Sequence, residues 1–254
     1  MTSGYKPAEL MIAAAAREIR DGEVVFVGMR LPLLAFALAK RTHAPDAVGL
    51  FENGVIRETP SAELLYTMGD PPNIEGARMC CGMNTVMGLL QRGDVDLGFL
   101  GGAEVDRFGN LNTSYVGDPA RPAVKLPGSG GAGDIASLAK RFVVIVDHDL
   151  RRLPERVSYV TSPGNGTGGD WRIREGLPRG GPSAVITTMA VLRFDGQSGE
   201  AYLASAHPGV SVADVRAKTG WALRVEAGCD STPPPSQEEL RIIRDCDPRG
   251  FWLN

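Results

Sequence analysis

The 254 residues are 43% hydrophobic and 22% charged, the balance of an ordinary globular chain long enough to bury a full core, which argues against disorder over long stretches. Lysine and arginine (27) nearly offset aspartate and glutamate (30), for a net charge of −3. No basic stripe is present that could neutralise a run of phosphates, so nucleic-acid binding finds no support.

A first amphipathic helix is predicted from about Lys6 to Arg20. Its apolar stretch Leu10–Ala16 is flanked by Glu9 and by Arg17 and Arg20, which breaks any signal-peptide or membrane-spanning pattern. After Asp21-Gly22, EVVFVG reads as a short buried strand, Pro32 to Arg41 as a helix, and APDAVGLFENG as holding a second strand. A helix over Met83 to Arg92 precedes a third strand in VDLGFLGGAEVD, and FVVIVDHD from Phe142 is the fourth. This alternation predicts an α/β fold with a largely parallel sheet flanked by helices, whose strand ends are the expected place for ligands. Further on, SAVITTMAVLRFD and GEAYLASAHP read as paired strands joined by Asp195 to Gly199, an antiparallel C-terminal extension. VSVADVRAKTG is a helix with Gly220 past its end. CDSTPPPSQEELRIIRDCDP opens as a proline-rich loop and then caps a last helix with Ser236 and Glu239. Nothing marks a second core, so one domain over 1–254 is expected.

The 32 glycines concentrate in three loops, FLGGAEVDRFGN at 99–110, LPGSGGAGD at 126–134 and SPGNGTGGDW at 162–171. Glycine lets backbone amides approach a ligand closely, so such loops can build anion or oxyanion sites, and can equally be tight turns. None fits a Walker A loop, and GSGGAG lacks the dinucleotide spacing. Cys80, Cys81, Cys229 and Cys246 show no CxxC spacing, so no metal site is expected and they read as buried free thiols in a reducing cytoplasm. Glu52 closes the apolar run AVGLF just before Asn53-Gly54. A carboxylate at the carboxyl edge of a buried strand is held where parallel sheets present reactive groups, although a solvated loop glutamate fits the same pattern.

Several segments occur together in one order: LPLLAFALAKRTHAPD at 31–46, ENG at 52–54, GGAEVDRFGNLNTSYVGD at 101–118, GSGGAGDIAS at 128–137 and YVTSPG at 159–164. In these the chain resembles the class I CoA-transferases, specifically the B-type (beta) half of the glutaconate CoA-transferase kind, from the first helix to Asp247-Pro248. The resemblance implies the CoA-transferase (NagB/RpiA-like) fold and CoA transfer between carboxylic acids with no bound cofactor, on a small dicarboxylic or short-chain acyl-CoA. It also implies an A-type partner subunit in an α2β2 heterotetramer. Glu52 falls on the glutamate that becomes covalently modified. Asn53 either orients that carboxylate or serves the turn. Gly101, Gly102 and Ala103 fall on the thioester side, and Gly128, Gly130, Gly131 and Ala132 lie close to the carboxylate or the CoA.

The family commonly has glutamine where Glu104 stands, so Glu104 is either a second acid/base or a stand-in for that amide. Related scaffolds include decarboxylases and ring-opening hydrolases of CoA thioesters, which keeps carbon–carbon bond cleavage as the alternative, although those relatives resemble transferases that have lost the catalytic glutamate. A non-enzymatic role in ligand binding or assembly is a third reading. Among other residues, His43 and His207 read as turn or packing groups and His148 as exposed. Arg172, Arg174 and Arg179 read as solvated in their loop, with contact to CoA phosphates or to the substrate carboxylate as the other options.

Overall fold

The computed structural model describes residues 4–177 and 179–253, and these form two compact units. The first takes the chain up to Phe99 and again from Pro234; the second is Leu100–Pro233.

In the first unit α1 (Pro7–Ala16) starts with proline in its first turn, where the missing N–H costs nothing. It is not amphipathic: Glu9 to Ala16 are all buried, because its polar residues sit at the ends rather than along one face, and α2 and the last helix pack against it. β1 (Val24–Phe26) leads into α2 (Leu31–Arg41), then β2 (Val48–Leu50), β3 (Val55–Arg57), α3 (Pro71–Ile74) and β4 (Met79–Cys80). α4 (Met83–Arg92) has the predicted bounds, closed by Gly93 in the left-handed region at φ 89°. β5 (Leu97–Leu100) completes the series. The strand order is β5-β1-β2-β3-β4, parallel at β5-β1-β2 and antiparallel from β2 to β4.

The second unit opens with two small hairpins, β6 (Glu104–Val105) with β7 (Leu111–Asn112) and β8 (Tyr115–Val116) with β9 (Val124–Lys125). α5 (Ala132–Leu138), β10 (Arg141–Val146), α6 (Trp171–Arg174), β11 (Pro182–Thr187), β12 (Ala190–Phe194), β13 (Ala201–Ala206), α7 (Val212–Ala217) and β14 (Arg224–Ser231) follow. Their order is β10-β11-β12-β13-β14. The antiparallel extension is present at β11-β12-β13, and β10-β11 and β13-β14 are parallel. SAVITTMAVLRFD is two strands rather than one, and the expected loop at Cys229 is strand as far as Ser231.

The last helix, α8 (Gln237–Cys246), has the predicted capping box: Ser236 Oγ accepts from the Glu239 N–H at 3.1 Å and Glu239 Oε2 from the Ser236 N–H at 2.7 Å. It returns to the first unit, where Arg17 pairs with Glu239 (2.9 Å) and Arg244 with the buried Glu9 (2.7 Å). The first unit is thus discontinuous in sequence, which is why no linker between the two is visible in the composition. Among the described residues no helix is long and apolar enough to cross a membrane. The four cysteines are free, but Cys80 is exposed and the other three are half-buried, so the expectation of buried thiols is corrected.

His148 is also corrected: it is buried at 5% exposure, Nδ1 lying 2.9 Å from Thr187 Oγ1 and Nε2 3.1 Å from Thr219 Oγ1. His207 packs beside it, Nε2 2.8 Å from the Thr187 carbonyl. Burial, reinforced by Lys218 and His207, pushes the His148 pKa down to about 4 from an ordinary 6.5. Between those values the unfolded chain binds the extra proton, so the stability is fully present above pH 6.5 and is lost as pH falls toward 4. From this residue the loss is about 2 kcal/mol at pH 5. The thermal midpoint is expected to drop between pH 7 and 5, and His148→Asn to shrink that drop; an undiminished drop in the variant refutes the assignment.

Candidate active site

Glu52 lies two residues past the end of β2, in the turn that reverses the chain into β3. Phe51 and Gly54 close this turn: Phe51 N–H donates to the Val55 carbonyl and Gly54 N–H to the Phe51 carbonyl, both at 2.9 Å. Asn53 is tied outward, its Nδ2 donating to the Met68 carbonyl at 2.6 Å and its Oδ1 accepting from the Val55 N–H at 3.4 Å. Gly54 adopts φ 99° and lies against β4's end, where Cys81 N–H donates to the Gly54 carbonyl at 2.9 Å. A Cβ on Gly54 would stand 1.9 Å from the Cys81 carbonyl oxygen, so only glycine fits. With its neighbours fixed, Glu52 is half-buried, and among the described residues its carboxylate takes no hydrogen bond or ion pair. A carboxylate on a rigid turn with its lone pairs uncommitted is suited to nucleophilic attack.

Glu104, in the second unit, is the opposite case. It is 7% exposed, Oε2 accepting from Asn112 Nδ2 (2.8 Å) and the Ser158 N–H (2.7 Å), and Oε1 from Ser158 Oγ (2.8 Å). Asn112 joins this carboxylate to the next loop through Nδ2, which also donates to the Tyr115 carbonyl, and through Oδ1, which accepts from the Ser114 N–H (2.9 Å). The adjoining Thr113 carbonyl accepts from the Gly128 N–H at 2.8 Å, and its N–H donates to Thr161 Oγ1 at 3.0 Å. Three segments singled out in the sequence, 101–118, 128–137 and 159–164, therefore converge on Leu111 to Ser114. A second clasp holds them: Asn110 donates to Asp106 and accepts from the Gly164 and Gly166 N–H groups, where a Cβ on Gly164 would meet the Gly109 backbone at 2.3 Å. Burial raises the Asp106 pKa against those bonds.

The glycine-loop donors are unequal. Ala103 N–H is committed to the Asn112 carbonyl (2.9 Å), Gly128 N–H to Thr113 and Ala132 N–H to the Ser129 carbonyl (2.9 Å). Gly101 and Gly130 are exposed, Gly102 is half-buried, and Gly131 is the buried N-cap of α5. Arg172 is buried and donates to the carbonyls of Gly164 (2.8 Å), Ala136 (3.0 Å) and Arg179 (3.0 Å), so it is neither solvated nor free for a phosphate. Arg174 is exposed and paired with Asp170 at 2.9 Å. Met68 and Cys81, which hold the Glu52 turn, and Ser158, which holds Glu104, lie in segments without a motif and act through space; Asn112 sits within the 101–118 segment, where nothing in the residue order marks it as the partner of Glu104.

The model of the coenzyme A transferase family matches residues 8–218. The chain belongs to that family. It is 40% identical to the B-type half of 3-oxoadipate CoA-transferase from Pseudomonas knackmussii, over 97% of this chain and 95% of that one. With the B-type half of glutaconate CoA-transferase from Acidaminococcus fermentans it shares 32% identity over 99% and 96%. The crystal structure of that glutaconate enzyme superposes with a TM-score of 0.92 at 30% identity, covering 99% of this chain and 98% of the other. The decarboxylase AibA/AibB superposes with a TM-score of 0.84 at 30% identity, covering 98% and 97%. The protein is thus a B-type chain of the CoA-transferase family, on a scaffold that a decarboxylase shares.

Within this CoA-transferase chain the Glu104 network separates a structural from a proton-transferring role. In Glu104→Gln, one oxygen still accepts from Asn112 and Ser158 N–H while the new amide donates to the reversible Ser158 hydroxyl, so a loss of about 1 kcal/mol is expected. Glu104→Ala orphans buried donors, at about 3 kcal/mol. Thermal midpoints in that order with near wild-type turnover for Glu104→Gln are expected; turnover collapsing in Glu104→Gln would establish acid/base work instead.

Proposed function

We propose that this chain is the nucleophile-bearing half of a CoA-transferase that moves CoA between carboxylic acids through a thioester on Glu52. The observation that carries this is the contrast between the two carboxylates: Glu104 is saturated by three donors, whereas Glu52 stands on a braced turn with its oxygens uncommitted. Glu52 attacks the thioester carbonyl and expels CoA thiolate, giving an acyl-glutamyl anhydride. The thiolate then attacks the glutamyl carbonyl, forming glutamyl-CoA and releasing the donor acid. An acceptor carboxylate runs the same two steps in reverse, so atoms and charge balance without a metal or redox group. Gly101 and Gly102 would supply backbone amides to the oxyanion on the thioester side, each donor being worth about 3 kcal/mol. Gly130 and Gly131 would serve the CoA side, while Ala103, Gly128 and Ala132, whose N–H groups are occupied, would shape the loops. Asn53 would hold the turn through Met68 rather than touch the substrate.

The relatives are named as one half of two-part enzymes, which supports an A-type partner; we propose that it assembles with this chain as an α2β2 heterotetramer in the cytoplasm. The names 3-oxoadipate and glutaconate support a small dicarboxylic acyl group. The test is to incubate the assembled complex with acyl-CoA, then hydroxylamine, and map the product by mass spectrometry: a hydroxamate at Glu52 is expected, and full activity with Glu52 unmodified refutes the reading. Likeness to AibA/AibB favours decarboxylation as the second reading, which predicts turnover without any acceptor acid.

A further inference from the structure

Arg30 is the one non-glycine residue with positive φ among those described, at φ 67° and ψ −126°. This bend converts the end of β1 into α2: the Arg30 carbonyl accepts from Leu33 N–H (3.1 Å) and Leu34 N–H (3.4 Å). Glycine would make it without strain, so an arginine here opposes the local backbone preference. Strain of this kind persists where the side chain has work to do.

The position supplies that work. β1 and β2 are parallel, with Phe26 opposite Leu50 and the Val27 N–H donating to the Leu50 carbonyl at 2.8 Å. Both strands therefore end at one edge, where β2 runs on to Glu52 and β1 to Arg30. Arg30 is exposed, and among the described residues its guanidinium has no ion pair or hydrogen bond; it lies 5.9 Å from the Trp252 ring centroid. That shelf is fixed: Trp252 Nε1 donates to the Leu65 carbonyl at 3.0 Å, and Phe251 stacks edge-on with Trp252 (4.6 Å) and Tyr66 (4.7 Å). The same segment ends in Met68, which holds Asn53. One brace thus positions both the uncommitted carboxylate and the uncommitted guanidinium. Neighbouring strands stand about 4.8 Å apart, so the two continuations leave the sheet side by side.

We propose that Arg30 is a specificity-determining residue that binds, in a bidentate pair, the distal carboxylate of a dicarboxylic acyl group whose thioester carbon faces Glu52. This rests on the Glu52 reading above. The test compares the assembled complex as wild type, Arg30→Gly, Arg30→Gln and Arg30→Lys, with glutaryl-CoA and butyryl-CoA as donors and acetate as acceptor. Arg30→Gly is expected to raise the thermal midpoint, since glycine adopts the bend freely. Arg30→Gly and Arg30→Gln are each expected to lower the glutaryl-over-butyryl ratio of kcat/KM by at least about 30-fold, with butyryl-CoA changed less than about threefold and Arg30→Lys between. An unchanged ratio, no glutaryl preference in wild type, or an equal loss on both donors, as a contact to CoA phosphate would give, overturns the proposal. Hydroxylamine trapping on the same samples keeps the two readings apart. A Glu52 adduct with an unchanged ratio sinks Arg30 alone, and a wild type without the adduct sinks the Glu52 reading while the ratio still reports on Arg30.

Discussion

Glu52→Gln is expected to lower kcat for CoA transfer in the assembled complex by at least about 10⁴-fold, as loss of a covalent nucleophile does elsewhere. An amide is nearly isosteric with the carboxylate but cannot form the anhydride. The turn should survive, because its hydrogen bonds run through Phe51, Asn53 and Gly54 and not through the Glu52 side chain. The thermal midpoint is therefore expected within about 0.5 kcal/mol of wild type, the range of substitutions that touch no partner. The variant should also form no hydroxylamine-sensitive adduct. Retained turnover of a CoA thioester without an acceptor acid would instead move the enzyme to the decarboxylase reading, in which this glutamate is dispensable.

Gly54→Ala should be the second most damaging change, through a different route. The new methyl would stand 1.9 Å from the Cys81 carbonyl oxygen and 2.7 Å from its carbon, at a φ of 99° that alanine resists. Backbone on both sides blocks relief by a rotamer change, so the turn and β4 must separate. A displacement of about 1 Å at a reacting group is enough to cost about 10²-fold in rate. Strain and the lost Cys81–Gly54 hydrogen bond together are expected to cost about 3 kcal/mol of stability. The expected pattern is reduced kcat with residual trapping at Glu52, and a lower thermal midpoint. Wild-type kinetics for Gly54→Ala would show that the turn's geometry does not set a catalytic position for Glu52.

Much of the framework was legible because its signals are local. α4 has the predicted bounds, with an arginine in its last turn and a glycine at its C-cap, and α8 announces itself through a capping box. β1 and β10 are short apolar runs between turn residues. The stretch from 55 to 80 was opaque, since β3 and β4 are three and two residues long and β3 ends in Arg57. That arginine is 3% exposed and donates to the carbonyls of Thr59, Pro72, Asn73 and Glu75, so a charge that reads as solvent-facing holds an irregular loop together. His148 was misplaced for the same reason: its partners, Thr187 and Thr219, lie far along the chain. At the candidate site, the strand end fitted a solvated Glu52 as well as a reactive one, and it was the resemblance through the ENG turn that singled it out. The saturation of Glu104 and of the Ala103, Gly128 and Ala132 amides is invisible in sequence, because residue type does not say whether a hydrogen-bonding group is already occupied.

The return of α8 to the first unit has a consequence for biosynthesis. Glu9 waits for Arg244, and Arg17 for Glu239, more than two hundred positions later in the chain. Residues 100–233 have all left the ribosome before α8 appears, so the second unit has its full sequence while the unit bearing Glu52 still lacks a wall. The first unit is thus completed after the second, and a nascent chain stalled short of α8 leaves α1 and α2 without the helix that packs on them.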